Sequence, residues 1–175
     1  MSNAPREPYE PDVDPDATPP GELGDLTDAV VDGADWSNTQ SLRTALHRVV
    51  LSQCRLTGSE LAESALTDVV FDGCKVDLVG LRFARLERVV FRDCRLEEAD
   101  LHGAQLRDVL FERCELRGAV LTGVTVERVE IAGGDLSGLR GAESLRGVRM
   151  GWNDVLANAP LFAGALGIEI VDDEG

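Results

Sequence analysis

The sequence holds no run approaching the ~18 consecutive apolar residues that a membrane-crossing helix needs. Its first residues lack a basic, apolar signal pattern, so a soluble protein of the cytoplasm is expected. Histidine is nearly absent: only His47 and His102 occur. No cluster of cysteine, histidine or carboxylate has the spacing of a metal cage. Glycine-rich phosphate loops between a strand and a helix are missing, and so is a nucleophile elbow. Aromatic residues make up 5% of the chain, which leaves no stacking platform for bases. Together these gaps lead us to expect no enzyme, no cofactor and no metal. Carboxylate pairs such as Glu97 and Glu98 sit among Arg92 and Arg95, which reads as a solvated charged face.

What the chain does have is a period. Taking one residue in five as a centre, the positions run Leu26, Val31, Trp36, Ser41, Leu46, Leu51, Leu56, Leu61, Leu66, Phe71 and onward in unbroken frame to Leu136. Of these centres only Ser41 is polar. Two residues before each lies a small side chain, from Gly24 and Ala29 through Cys54 and Ser59 to Gly134. A period of five matches neither the 3.6 of a helix nor the 2 of a strand, so it has to be read as a repeat architecture. One large and one small inward residue per five suit a chain that turns a corner every five residues. Glycine two places after the centre (Gly33, Gly58, Gly73, Gly103 and others) fits the third residue of a type II turn, which needs positive φ.

A second period of twenty closes the square. Val49 to Leu56, Val69 to Val76, Val89 to Leu96 and Val109 to Leu116 are near copies. Four corners then make one coil, and like residues stack: Phe71, Phe91 and Phe111 in one core column, Cys54, Cys74, Cys94 and Cys114 in another. Four cysteines at this inward small position read as reduced packing residues, neither disulfides nor ligands.

The pattern resembles the pentapeptide-repeat family, whose motif of a small residue, a polar residue, Leu or Phe and two variable residues shows most plainly as Ala99-Asp100-Leu101-His102-Gly103. The resemblance implies an all-β fold, a right-handed quadrilateral parallel β-helix, here of nearly six coils with a short C-terminal helical cap. The sequence departs from the motif at Val50, Val70, Val90 and Leu110, where Asp or Asn is usual.

Three segments are expected. Residues 1–23 hold six of the seven prolines among acids and read as a disordered acidic tail. Residues 24–138 form the β-helix, with a local bulge or small loop expected near Thr39 to Thr44, around Ser41. Residues 139–175 read as a partial coil with its phase shifted by one, a helical cap and an acidic end. In the cap, Pro160 opens a second helix, Gly167 ends it, and Val155, Leu156, Leu161, Phe162 and Leu166 cover the open core. A short strand at Ile168 to Val171 is a further expectation.

Two outward columns bear on function. Asp28, Arg48, Asp68, Arg88, Asp108 and Arg128 alternate in charge at spacing twenty and predict a register-setting ladder of exposed pairs, each acid between two arginines. Val30, Val50, Val70, Val90 and Leu110 make an apolar stripe that is a candidate partner surface, and Leu78 and Phe83 either add a second patch or pack on each other. The net charge is −15, but residues 1–25 contribute −6 and residues 151–175 contribute −5, so the coiled body carries only −4.

The expected function is therefore a non-catalytic protein-binding or scaffold module that offers flat walls to a protein partner or a second copy. The resemblance implies an alternative, since some pentapeptide-repeat proteins mimic duplex DNA, bind DNA gyrase and protect it from inhibitors. A short body near charge balance, with Arg82, Arg85, Arg88, Arg92 and Arg95 close together, places that reading second. Direct nucleic-acid binding by those arginines is opposed by the overall charge.

Overall fold

A large apolar residue at every fifth position can be buried only if the chain returns to the same axis at each one. In the computed structural model, which describes residues 3–12 and 22–171, it does so by turning four corners per coil. The strands are β1 (Leu26–Asp32), β2 (Ala45–Ser52), β3 (Ala65–Asp72), β4 (Arg85–Arg92), β5 (Gln105–Glu115), β6 (Thr125–Asp135) and β7 (Arg149–Met150). They form one parallel sheet in sequence order. Register between neighbours is twenty residues throughout β1 to β6, as in Leu46↔Leu66 and Phe71↔Phe91. The walls without long strands are tied by single bridges at the same spacing, such as Arg55↔Lys75 and Gly80↔Asp100.

The corners are backbone devices. All positions two after a centre, from Asp28 to Gly138, have positive φ, whether glycine (Gly33, 68°; Gly103, 67°) or not (Asp28, 52°; Phe83, 58°). On the turn walls the centre carbonyl accepts from the amide three residues on, as in Ser59 N to Leu56 O at 3.0 Å and Ala104 N to Leu101 O at 2.9 Å. That bond with positive φ at the third residue is the turn expected from the glycine positions.

Inside, the columns stack as their spacing requires. Phe71 and Phe91 lie face to face with centroids 4.7 Å apart, and Phe91 and Phe111 at 5.2 Å. The four cysteines are free and buried. Each thiol donates to the carbonyl 23 residues earlier, for instance Cys74 to Leu51 at 3.2 Å and Cys114 to Phe91 at 3.3 Å. The Cys74 thiol beside it, and then burial, hold the Cys54 thiol well above the usual range. Hydrogen bonding with Cys114, and then burial, pushes Cys94 up to about 12.

The coil around Ser41 differs from expectation. There is no bulge between Thr39 and Thr44: Ser41 N and Arg43 N keep the ladder to Glu60 O and Ala62 O, both at 2.9 Å, and Arg43 has the ordinary corner φ of 58°. The hydroxyl is accommodated because it donates to Leu23 O at 2.7 Å. A buried serine with a carbonyl partner costs little.

At the far end the frame does shift by one. Between β6 and β7 the register is nineteen, Glu130↔Arg149 and Ile131↔Met150, after Gly141 (φ 89°) and a 3-10 turn at Ala142–Leu145. Helices α1 (Trp152–Ala157) and α2 (Ala159–Ala165, with Pro160 in its first turn) follow. Leu161 and Phe162 pack on the core end. Leu156 and Leu166 instead face outward, at 54% and 75% exposure, because two short helices present only one side to the core. Residues 168–171 are irregular and exposed, not a strand. The expected acidic end at 172–175 lies outside the described residues.

Candidate functional site

The ladder column sits on the corner that bends each long strand, and the structure brings its members together differently from expectation. Each acid pairs with the arginine of the following coil, not with both neighbours. Arg88 Nε and Nη2 reach Asp68 Oδ1 and Oδ2 at 2.6 and 3.0 Å, and Arg128 reaches Asp108 at 2.6 and 2.8 Å. Arg48 grips Asp28 in the same bidentate way. Nor are two of these acids exposed: the side chains of Asp68 and Asp108 are 2% and 1% accessible, while Asp28 is partly open. The reason lies in residues that the sequence reading leaves in a disordered tail.

Residues 3–12 run along this corner. The main-chain N–H of Arg6 donates to Asp108 Oδ1, that of Tyr9 to Asp68 Oδ1 and that of Asp12 to Asp28 Oδ1, each at 3.0 Å. The acceptors lie on β5, β3 and β1, so the segment crosses the coils from the fifth toward the first. An ionised carboxylate has about four acceptor sites. The arginine fork takes two, and the incoming amide takes another on Oδ1. The side chain of Tyr9 places its ring 5.6 Å from the Arg88 guanidinium. The remainder of the tail, 13–21, is outside the described residues.

These contacts govern the charge state of the corner. The Arg48 hydrogen bonds, then the Asp12 N–H, hold Asp28 at about 2. Burial works against ionisation of Asp68, but the Arg88 fork and the Tyr9 N–H outweigh it and leave its pKa below the usual range. Asp108 is lowered by Arg128 first, against burial, with help from the Arg6 N–H.

The apolar stripe flanks the same corner. Val50, Val70 and Leu110 are half-buried, Val90 is buried and Val30 is exposed. A notch between Ala4, Pro5, Glu7 and the side chains of Val90 and Leu110 shows that the segment covers one end of the stripe. Leu78 and Phe83 are both 55% exposed, on other corners. Phe83 packs edge-on against His102, 5.4 Å away, and over Gly103. His47 lies 4.0 Å from Asp68 Oδ2. Most of the arginine cluster is matched by acids: Arg82 with Asp100 at 3.6 Å, Arg92 with Glu112 at 2.8 Å, and Arg95 with Asp77 at 3.5 Å. Among the described residues no group of three or more His, Cys, Asp or Glu could hold a metal, and no helix is long and apolar enough to cross a membrane.

Arg6, Tyr9 and Asp12 were not read as site residues from the sequence, yet a signal was present. Pro5, Pro8 and Pro11 recur every three residues, the period of a polyproline II helix.

A family model described as pentapeptide repeat region matches residues 44–121. No curated protein matches the chain. Among solved structures, a pentapeptide repeat protein from the thylakoid lumen of Arabidopsis thaliana is similar at 23% identity, covering 57% of this chain and 69% of that one, with a TM-score of 0.54. HetL, a pentapeptide repeat protein involved in heterocyst differentiation regulation in the cyanobacterium Nostoc sp., is similar at 23% identity over 67% of this chain and 59% of its own, also at 0.54. QnrB1, a plasmid-mediated fluoroquinolone resistance protein, superposes more loosely, at 18% identity over 82% of this chain and 92% of its own, with a TM-score of 0.42. Such identities speak to the fold, and the last superposition is too loose to argue from.

Proposed function

Residues 44–121 belong to the pentapeptide-repeat family, and on that footing we propose that the chain is a non-catalytic binding or scaffold module whose flat walls hold a segment of protein. One observation carries this reading. The corner wall of β1, β3 and β5 takes main-chain N–H groups on ionised side chains at three evenly spaced points. Among the described residues the core is filled by apolar side chains, and its buried hydroxyls at Ser41, Thr44, Ser59 and Ser64 each donate to a main-chain carbonyl, whereas catalysis needs a pocket with converging polar groups. Four unpaired thiols in one column suit a reducing, cytoplasmic setting.

The test is comparative capture from the source cell with the wild-type chain and with Val50→Lys/Val70→Lys. A protein retained by the first and lost by the second is expected. Identical captures overturn the reading for this wall.

The net charge of −15 favours a second reading, mimicry of duplex DNA toward gyrase. Against it, many wall acids are already neutralised by arginine, as in Asp93 with Arg113 and Glu112 with Arg92. A supercoiling assay with purified gyrase separates the two readings: an unchanged rate at micromolar protein removes mimicry.

A further inference from the structure

We propose that the corner wall is a receptor for a polyproline II peptide, and that residues 5–12 are its built-in occupant, displaced when a partner presents a segment with a proline at every third position. The proposal rests on the wall-binding reading above and names the chemistry of the partner.

The argument is one of matched periods. Asp28, Asp68 and Asp108 recur every second coil, because the intervening coils carry Arg48, Arg88 and Arg128 at the same corner. With coils about 4.8 Å apart, the acceptors are ~9.6 Å apart. A polyproline II helix rises about 3.1 Å per residue with three residues per turn, so it offers equivalent atoms every ~9.3 Å. From Arg6 to Asp12 the accumulated mismatch is only ~0.6 Å. One turn of the peptide therefore meets two coils of the wall, and three contacts form without distortion.

The sequence of the segment agrees with this. Polyproline II makes no internal hydrogen bonds, so any amide it carries is free to donate outward. Proline has no N–H, and the donors are the residues directly after Pro5, Pro8 and Pro11. The proline directly before each donor holds the extended form and reduces the entropy lost on docking. The wall is preorganised too, since each arginine fork fixes its carboxylate before the peptide arrives. Side chains add selectivity at two places: an aromatic at the Tyr9 point to meet Arg88, and small or apolar residues at the Ala4 and Pro5 points beside Val90 and Leu110.

Only nine residues separate Asp12 from Glu22, where the described body begins. Because it belongs to the same chain, the resident segment meets the wall as an intramolecular ligand. A free peptide cannot compete with that until the resident contacts are weakened, which makes the segment a gate on the wall.

The experiment uses the full chain and a labelled synthetic peptide with the sequence of residues 3–12, read by fluorescence anisotropy. In Arg6→Pro/Tyr9→Pro the extended form is kept and two donors are removed. Peptide affinity is expected to rise at least tenfold over wild type, and to be lost again when Asp68→Asn and Asp108→Asn are added. A peptide carrying the same two proline substitutions should not compete. Should the double-proline chain fail to fold, Pro5→Gly/Pro8→Gly loosens the segment with its donors intact and is expected to shift affinity the same way. Equal binding to wild type and variant, or no binding to a folded variant, overturns the proposal. So does a concentration-dependent dimer in sedimentation, which would make the occupant a second copy's tail. None of these outcomes alters wall-dependent capture in the Val50→Lys/Val70→Lys comparison, so the two readings fail separately.

Discussion

The main-chain N–H of Tyr9 donates to Asp68 Oδ1 at 3.0 Å across 59 positions of sequence, and Arg88 Nε donates to the same oxygen at 2.6 Å. One buried carboxylate thus joins the N-terminal segment to two coils of the body. Asp68→Asn keeps an oxygen but removes the charge that both donors face. It is expected to cost about 1.5–3 kcal/mol in urea unfolding, the range for hydrogen bonds to a charged group. Asp93→Asn, which removes the half-exposed partner of Arg113, should leave the urea midpoint nearly unchanged.

The phenylalanine column is tested by its middle member. Phe91 is sandwiched between Phe71 and Phe111 and is fully buried. Phe91→Ala is expected to lower stability by about 3–5 kcal/mol, since coils held in register on both sides cannot collapse into the cavity. Phe91→Leu should cost about 1.5 kcal/mol.

Gly134 occupies the column of the four cysteines but cannot be replaced by a fifth. A Cβ there would meet the Cys114 carbonyl oxygen at 1.9 Å, and φ is 113°. Gly134→Cys is expected to cost more than about 2 kcal/mol in thermal or urea unfolding. Gly123→Asn is the control. Its φ of 71° lies near the 50–58° that side chains adopt at other corners, the space around it is open and asparagine tolerates the left-handed region, so a change below about 1 kcal/mol is expected.

Acid should loosen the corner in a defined window. Asp28 is held at about 2 by Arg48 and then by the Asp12 N–H, against about 3.9 in an unfolded chain. The folded state binds fewer protons than the unfolded one between those values, so this stabilisation is complete above about pH 4 and is lost as pH falls toward about 2. Asp68 and Asp108, also lowered, act in the same direction. The urea midpoint should be flat near neutrality and fall below about pH 4, and Asp28→Asn should make that fall shallower.

Much of the fold was legible because every fifth residue carries its own instruction. The centres, the small inward residues and the corner glycines each repeat often enough that no single exception misleads, and Leu46 to Leu136 sit where the period puts them. Ser41 misled because a polar centre suggested a break, whereas its hydroxyl needed only one carbonyl, that of Leu23, on a residue outside the repeat frame. The ladder misled for a related reason. Alternating Asp and Arg at spacing twenty fixes who can meet whom, but not that an external amide would take the second side of each acid. That amide comes from a segment whose own period is three, and the coincidence of three residues with two coils is visible only when both are measured in ångströms. Leu156 and Leu166 show the limit of composition: in helices of six and seven residues the sequence does not declare which side meets the core.

Amide hydrogen exchange resolved by NMR on the wild-type chain at neutral pH tests the docked segment most directly. Protection is expected at Arg6, Tyr9 and Asp12, whose N–H groups reach the wall, while Glu7 and Glu10 between them exchange fast. Uniform fast exchange across residues 6–12 would contradict the account, as would protection that does not follow a period of three.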